Sequence, residues 1–272
     1  MANLTGDYVL GTGDEEIERL GLQHRVWRAR MHDAWARAGF AAGQHLIDIG
    51  CGPGYATMDL ASLTGPAGRV TAIDRSRHFL DAIRTGLSRG HIDHVDVREI
   101  DLNTGSLPSF DADGAWCRWI LAFVKDPKRV VTEIHALLKP GGTFVLHEYF
   151  DYRAWRLMPR SLDFEEFVDA VMSSWRANGG EPDVALDLVT WLTEAGFEVI
   201  ETRPFLDVVA RGDEIWQWPS AFFESGLSRL VELGRVSVDR ADEIRRAFAE
   251  AADNSSTRMI TPAVLEIIAR KK

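Results

Sequence analysis

Short apolar runs alternate with segments of helical spacing through the first half of the chain. Residues 46–50 read LIDIG, a buried strand that ends at a glycine loop. Residues 55–65 carry apolar side chains at helical intervals and stop at Gly65. A second strand is predicted over 68–74, where Val70, Ala72 and Ile73 are apolar and the run ends on Asp74. An amphipathic helix follows over 75–87, with Ser76 as its N-cap. Residues 94–101 read as a third strand, again closing on an acid, and 110–120 as a fourth. A helix over 126–138 has Pro127 in its first turn, KPGG closes it, and 143–150 supply a fifth strand. Strands separated by helices imply right-handed βαβ crossovers. The expected class is therefore α/β, a Rossmann-like, doubly wound, mostly parallel sheet.

The second half is less regular. Residues 186–205 read as helix, glycine stop and strand, and 262–271 as a last strand. Helical, tryptophan-rich stretches near 153–178 and 213–253 interrupt this frame, and an amphipathic stretch over 13–39 precedes the first strand. No polar linker separates an independent unit. The expected organisation is an N-terminal helical lid segment (1–40) and one α/β domain (41–272). Cap insertions at about 151–182 and 213–255 would cover the carboxyl edge of the sheet.

Charge and composition narrow the function classes. A formal net charge of −10 disfavours sequence-independent binding to nucleic acid or an anionic membrane, both of which need a basic surface. No apolar run approaches the roughly 20 residues that span a bilayer. The first ten residues lack the basic and apolar regions of a secretory signal. Cys51 and Cys117 are the only cysteines and imply no disulfide framework. A cytoplasmic protein is expected, with a homodimer left open. His91 and His94 have the spacing of a metal pair but lack further ligands nearby, so no metal is expected.

The loop after the first strand carries the chemistry. A dinucleotide fingerprint needs a small residue at the sixth position of G-x-G-x-x-G. Counting from Gly50 that position is Tyr55, and from Gly52 it is Thr57. What stands instead is acid-x-Gly-x-Gly-x-Gly, suited to close passage of a small zwitterion rather than a pyrophosphate. HLIDIGCGPGYATMDLA, VTAID, REIDL and LLKPGGTFVLHE, in that order, resemble the class I S-adenosylmethionine-dependent methyltransferases that act on small molecules. The resemblance covers roughly residues 40–150, and 186–205 and 262–271 more weakly.

That resemblance implies S-adenosyl-L-methionine as cofactor and assigns residues to it. Gly50, Cys51 and Gly52 would lie along its methionine portion, with Asp48 near the ammonium group. Asp74 would accept both ribose hydroxyls, with Arg75 beside it. Asp101 would accept from the adenine amino group, and Leu102 would pack by the ring. The Arg118 backbone would contact the ammonium, and Trp119 would follow toward the substrate. A Tyr-x-Leu-Gly-Thr start and an LQH helix resemble a subset whose N-terminal segment folds over the cofactor, so Tyr8, Gln23 and Arg25 are further candidates.

For the reaction, His147 is the first candidate general base, since imidazole titrates near neutrality, and Glu148 the second. A structural role stays open for each, as does catalysis by proximity alone. Trp155, Phe164, Phe167, Trp175, Trp216, Trp218, Phe222 and Phe223 cluster in the inserted segments. Facing the cofactor, they would make the methyl acceptor apolar or aromatic; packing as core, they would say nothing of it. Arg153, Arg156 and Arg160 could instead meet an acidic substituent. The rival readings are an NAD(P)-dependent oxidoreductase on a related fold, a non-catalytic binder of the same cofactor, and a methyltransferase with a macromolecular acceptor.

Overall fold

Helix α1 (Asp14–Ala38) leads into strand β1 (His45–Ile49) in the computed structural model, which describes residues 13–272. The chain then alternates through α2 (Tyr55–Thr64), β2 (Arg69–Asp74), α3 (Arg77–Gly90), β3 (Val95–Glu99) and β4 (Ala112–Arg118). It continues as α4 (Pro127–Leu137), β5 (Leu138–Asp151), β6 (Arg156–Met158), α5 (Leu162–Ala177), α6 (Ala185–Ala195) and β7 (Phe197–Phe205). Then follow β8 (Val208–Val209), α7 (Glu214–Glu232), α8 (Val238–Asp253), β9 (Arg258–Ile260) and β10 (Ala263–Lys271). The main sheet has the order β3-β2-β1-β4-β5-β10-β7. Only β10 runs antiparallel to its neighbours. The expected doubly wound, mostly parallel sheet is therefore observed. Its strand order reverses at β1 and β4, where a crevice opens beyond their carboxyl ends.

Strand alternation divides the core. Ile47, Ile49, Phe144 and Leu146 pack with Val130, Ile134 and Leu188 on the α4/α6 face. Leu46, Val70, Trp116 and Val145 meet Met31, Ala34 and Trp35 of α1 on the other. The C-terminal half of α1 is therefore built into the core, not laid over it as a lid. Against α7 the helix sets Arg19 over the Phe222 ring and Trp27 edge-on to Trp218. Helices α5, α7 and α8 join through Phe164, Phe167, Phe223 and Phe248, with the Phe223 and Phe248 rings 4.1 Å apart. Among the described residues, no helix is long and apolar enough to cross a membrane.

Some boundaries differ from the pattern-based expectation, each for a local reason. Strand β4 is shorter than 110–120 because Asp111 and Trp119, at φ 47° and 52°, leave extended geometry on either side. KPGG does not close α4. Leu138 is already extended, and Pro140 disfavours helical geometry at the residue before it, so the segment joins β5 with a register shift against β4. The first tryptophan-rich insertion is α-helical only from Leu162, where Ser161 Oγ accepts from the Phe164 amide. Before it lies β6, part of a three-stranded sheet of order β6-β9-β8. Strands of two or three residues leave no periodicity to read.

Candidate active site

The glycine loop turns from β1 into α2 with Gly50, Gly52 and Gly54 all at positive φ. At two of these positions a side chain is excluded by space as well. A Cβ on Gly50 would lie 2.3 Å from Ile120 Cδ1, and one on Gly54 2.4 Å from Ile83 Cγ1. The loop is tied to β2 by Asp74. Its Oδ2 accepts from the Gly52 amide at 2.9 Å and its Oδ1 from the Ser76 amide at 2.8 Å. A carboxylate oxygen can accept more than one bond, so the group can still accept a donor from the cavity it lines. Burial pushes this carboxyl up, against the amide bonds that lower it.

Asp48 is almost fully buried at the end of β1, where Thr57 Oγ1 donates to its Oδ2 at 2.7 Å. Burial raises its carboxyl to about 7, with Thr57 and the Arg118 charge pulling the other way. Asp48, Gly50, Cys51, Gly52, Asp74 and Arg75 line one cavity enclosing about 1050 Å³ of space open to solvent. Gln23, Arg118 and Trp119 also reach it. Asp101 and Leu102 line a smaller, adjoining apolar recess with Ile73, Ile100 and Val124. Asp101 Oδ1 accepts from the Asn103 amide at 2.8 Å. The two spaces adjoin, with Gly50, Asp74 and Ile120 in the walls of both.

Comparison with known proteins agrees with this geometry. A family profile described as a methyltransferase domain matches residues 47–146. The chain is 30% identical over 247 residues to the demethylmenaquinone methyltransferase of Symbiobacterium thermophilum, covering 85% of this chain and 90% of that one. It is 31% identical over 207 residues to a ubiquinone/menaquinone biosynthesis C-methyltransferase of Rubrivivax gelatinosus, covering 74% and 73%. A crystal structure of an S-adenosylmethionine-dependent methyltransferase from Mesorhizobium loti shares the fold at a TM-score of 0.54 and 20% identity, over 88% of this chain and 96% of that one. The chain belongs to the class I S-adenosylmethionine-dependent methyltransferases.

Not every residue expected at the site of this methyltransferase lies there. Tyr8 falls outside the described residues. Arg25 is exposed and does not line the cavity, because two residues along a helix rotate it about 200° from Gln23. Arg19, one turn before Gln23, is the arginine that reaches the cavity, held by Glu16 at 2.6 Å and donating to Gln23 Oε1 at 3.2 Å. Leu20 and His24 lie on the same side of α1. Helical spacing from Gln23 was the available signal for all three.

His147 and Glu148 are both sealed from the cavity, which corrects the expectation that either meets the acceptor. His147 is in register with Arg118 at the end of β4, and its carbonyl accepts the Trp119 amide at 2.9 Å, but its side chain turns away from the cavity into the packed face of the sheet. The ring is fully buried beside Trp116 and Trp27, with Nε2 2.8 Å from Glu266 Oε2. Burial lowers its affinity for a proton, against the Glu266 bond that raises it. Glu148 faces the opposite side, and its Oε1 accepts the Ile120 and Leu121 amides at 2.8 and 2.7 Å. Burial raises that carboxyl to about 8. It thus holds the turn after β4 that carries Ile120, the side chain filling the space above Gly50.

The next residues of β5 do reach the cavity. Tyr149 stacks on Trp119 at 5.4 Å and meets Tyr152 edge-on at 4.9 Å. Trp155, Trp175, Trp218 and Phe222 of the inserted segments complete an aromatic chamber at this end. Phe164, Phe167, Trp216 and Phe223 are core of the cap instead. Arg153 and Arg160 pair with Asp169 and Glu165 at the surface, and Arg156 is exposed there too. His91 ends α3, and His94 Nε2 bonds the Ala61 carbonyl at 3.0 Å.

Proposed function

We propose that this methyltransferase transfers a methyl group to a ring-bearing small molecule, neutral or anionic, held in the aromatic chamber. One observation carries the reading: the cavity that begins at the glycine loop and Asp74 continues without a break into walls of Trp119, Tyr149, Tyr152, Trp175 and Trp218. Charge supports it. The Arg19 guanidinium lies 5.6 Å from the Phe222 ring centre and that of Arg118 5.2 Å from the Trp119 ring, so the walls already hold cations and disfavour an ammonium acceptor. The two relatives' names refer to menaquinone and ubiquinone methylation, which also involves ring-bearing acceptors.

Bound S-adenosylmethionine supplies a methyl group activated by its sulfonium. The chain's own residues then bind and orient. In this reading Asp74 takes the ribose hydroxyls, Asp101 and Leu102 the adenine, and Asp48 the ammonium. The glycine loop would hold the methionine portion, at the end of the cavity that opens into the chamber. The aromatic walls exclude water and hold the acceptor for in-line attack, so proximity supplies the rate. Among the described residues, Tyr152 and His24 at the chamber are poor bases. Burial carries the Tyr152 hydroxyl well above its ordinary value, and burial with the Arg118 charge lowers His24 to about 4.

The test is transfer of labelled methyl from S-adenosylmethionine to a panel of acceptors by the purified protein. Hydroquinones and phenols should be methylated, and alkylammonium acceptors such as ethanolamines should not. The reverse pattern would reject the proposed acceptor class while leaving the methyltransferase assignment intact.

A further inference from the structure

Arg118 ends β4 with its guanidinium inside the cavity. Its recorded partners are weak ones for a cation. Nη1 lies 4.0 Å from Met31 Sδ, and the charge sits 5.2 and 5.8 Å from the Trp119 and Trp116 ring centres. Among the described residues no carboxylate comes within ion-pairing distance of it. Burial lowers its affinity for its own proton, toward about 10, and Asp48 only partly offsets this. Asp48 is itself bonded to Thr57 and pushed up to about 7. His24, which also lines this part of the cavity, is held neutral. The other arginine of the wall, Arg19, already grips Glu16 through two bonds.

A part-buried guanidinium without an anion is costly, because ring faces replace only part of its lost hydration. A ligand carboxylate would complete the site with two parallel charge-assisted bonds. We propose that Arg118 is a carboxylate-binding site within the cavity, built for an anionic oxygen pair on a bound small molecule. Two sources have that chemistry: the α-carboxylate of the cofactor's methionine portion, and a carboxylate carried by the acceptor. The inference rests on the cofactor reading above and adds a side-chain role at a position where only a backbone contact was expected.

Calorimetry with two probes tests it: S-adenosylhomocysteine and the same molecule lacking its carboxylate. If the cofactor is the source, the wild-type protein binds the decarboxylated probe at least tenfold more weakly. Arg118→Met then loses the same factor for S-adenosylhomocysteine and treats both probes alike. If the acceptor is the source, both probes bind equally to wild type and variant. The protein loaded with S-adenosylhomocysteine then binds a hydroxylated aromatic carboxylate more tightly than the matching carboxamide, and Arg118→Met removes that preference. The wild-type comparisons need no variant, and Arg118→Lys keeps the charge should the methionine variant fail to fold. Indifference to the carboxylate in both arms overturns the proposal. Failure of wild-type protein to bind S-adenosylhomocysteine at all would instead overturn the cofactor reading on which it rests.

Discussion

Asp48 is where pH should act on ligand binding. Its carboxyl is raised to about 7, so near neutrality half of it carries a proton. A cationic ammonium group nearby would favour the ionised form, so binding releases that proton and affinity rises with pH. Between pH 6 and pH 8 the gain in S-adenosylhomocysteine affinity should be about tenfold, as linkage requires for a group that starts near 7 and ends well below. Calorimetry across that range checks it, and Asp48→Asn should flatten the dependence. Glu148 shows the opposite consequence of burial. Its folded value of about 8 lies above the ordinary 4.5, so the native state keeps a proton that the unfolded chain loses between those values, and stability falls as pH rises through that window. Glu148→Gln cannot ionise. Its melting temperature relative to wild type should therefore improve from pH 5 to pH 8 by several degrees, at roughly 2–4 °C for each kcal/mol. A constant difference would mean that Glu148 is already ionised. His147→Ala should leave the pH–rate profile unchanged and lower stability by about 1–3 kcal/mol, the cost of stranding a buried hydrogen-bond partner. A flattened profile would return His147 to the chemistry.

The loop between β1 and α2 depends on what packs above it. Gly50→Ala would set a methyl group against Ile120 at a φ of 67°, and Ile120 is held in place by Glu148. S-adenosylhomocysteine affinity should fall by tenfold or more while the circular dichroism spectrum is retained. Unchanged affinity would show that the turn can shift without disturbing the site. These glycines were legible because few arrangements need three left-handed turns at alternate positions. Helix α1 was legible as a helix, yet its two jobs were not. Trp27 and Trp35 are eight residues apart in sequence, but Trp27 meets Trp119 and Trp218 beneath the caps while Trp35 meets Trp116 on the sheet. Which neighbour a helix face meets depends on distant segments. The inserted helices divide in the same way: Trp218 and Phe222 turn to the chamber, and Phe223 to the cap core.

The whole chain couples these parts through ligand binding. The proposed cofactor contacts come from α1 and the ends of β1, β2, β3 and β4, so a ligand that binds only the native state should stabilise all of them together. S-adenosylhomocysteine at a hundred times its dissociation constant should add about 2.7 kcal/mol and raise the melting temperature by several degrees. NAD at the same concentration should leave it unmoved. A shift with NAD alone would favour the oxidoreductase reading and contradict the family.

The amino-acid sequence by itself determined the strand–helix alternation, the glycine loop and the placing of the acids at 48, 74 and 101, and the family resemblance these carry implied the cofactor. These are local properties: periodicity, turn conformation and the residue that ends a strand all lie within a few positions of one another. Only the tertiary structure decided that His147 and Glu148 are sealed inside, that Arg19 and not Arg25 reaches the cavity, and which aromatics wall the chamber. Those facts turn on how far β5 runs before it leaves its pairing with β10, and on which side of α1 faces the loop. The first is set by contacts between segments more than a hundred residues apart, as in the bond from His147 to Glu266, which no local pattern encodes. Helical spacing says which residues of α1 share a side with Gln23, and only the packing of α1 says that this side faces the loop.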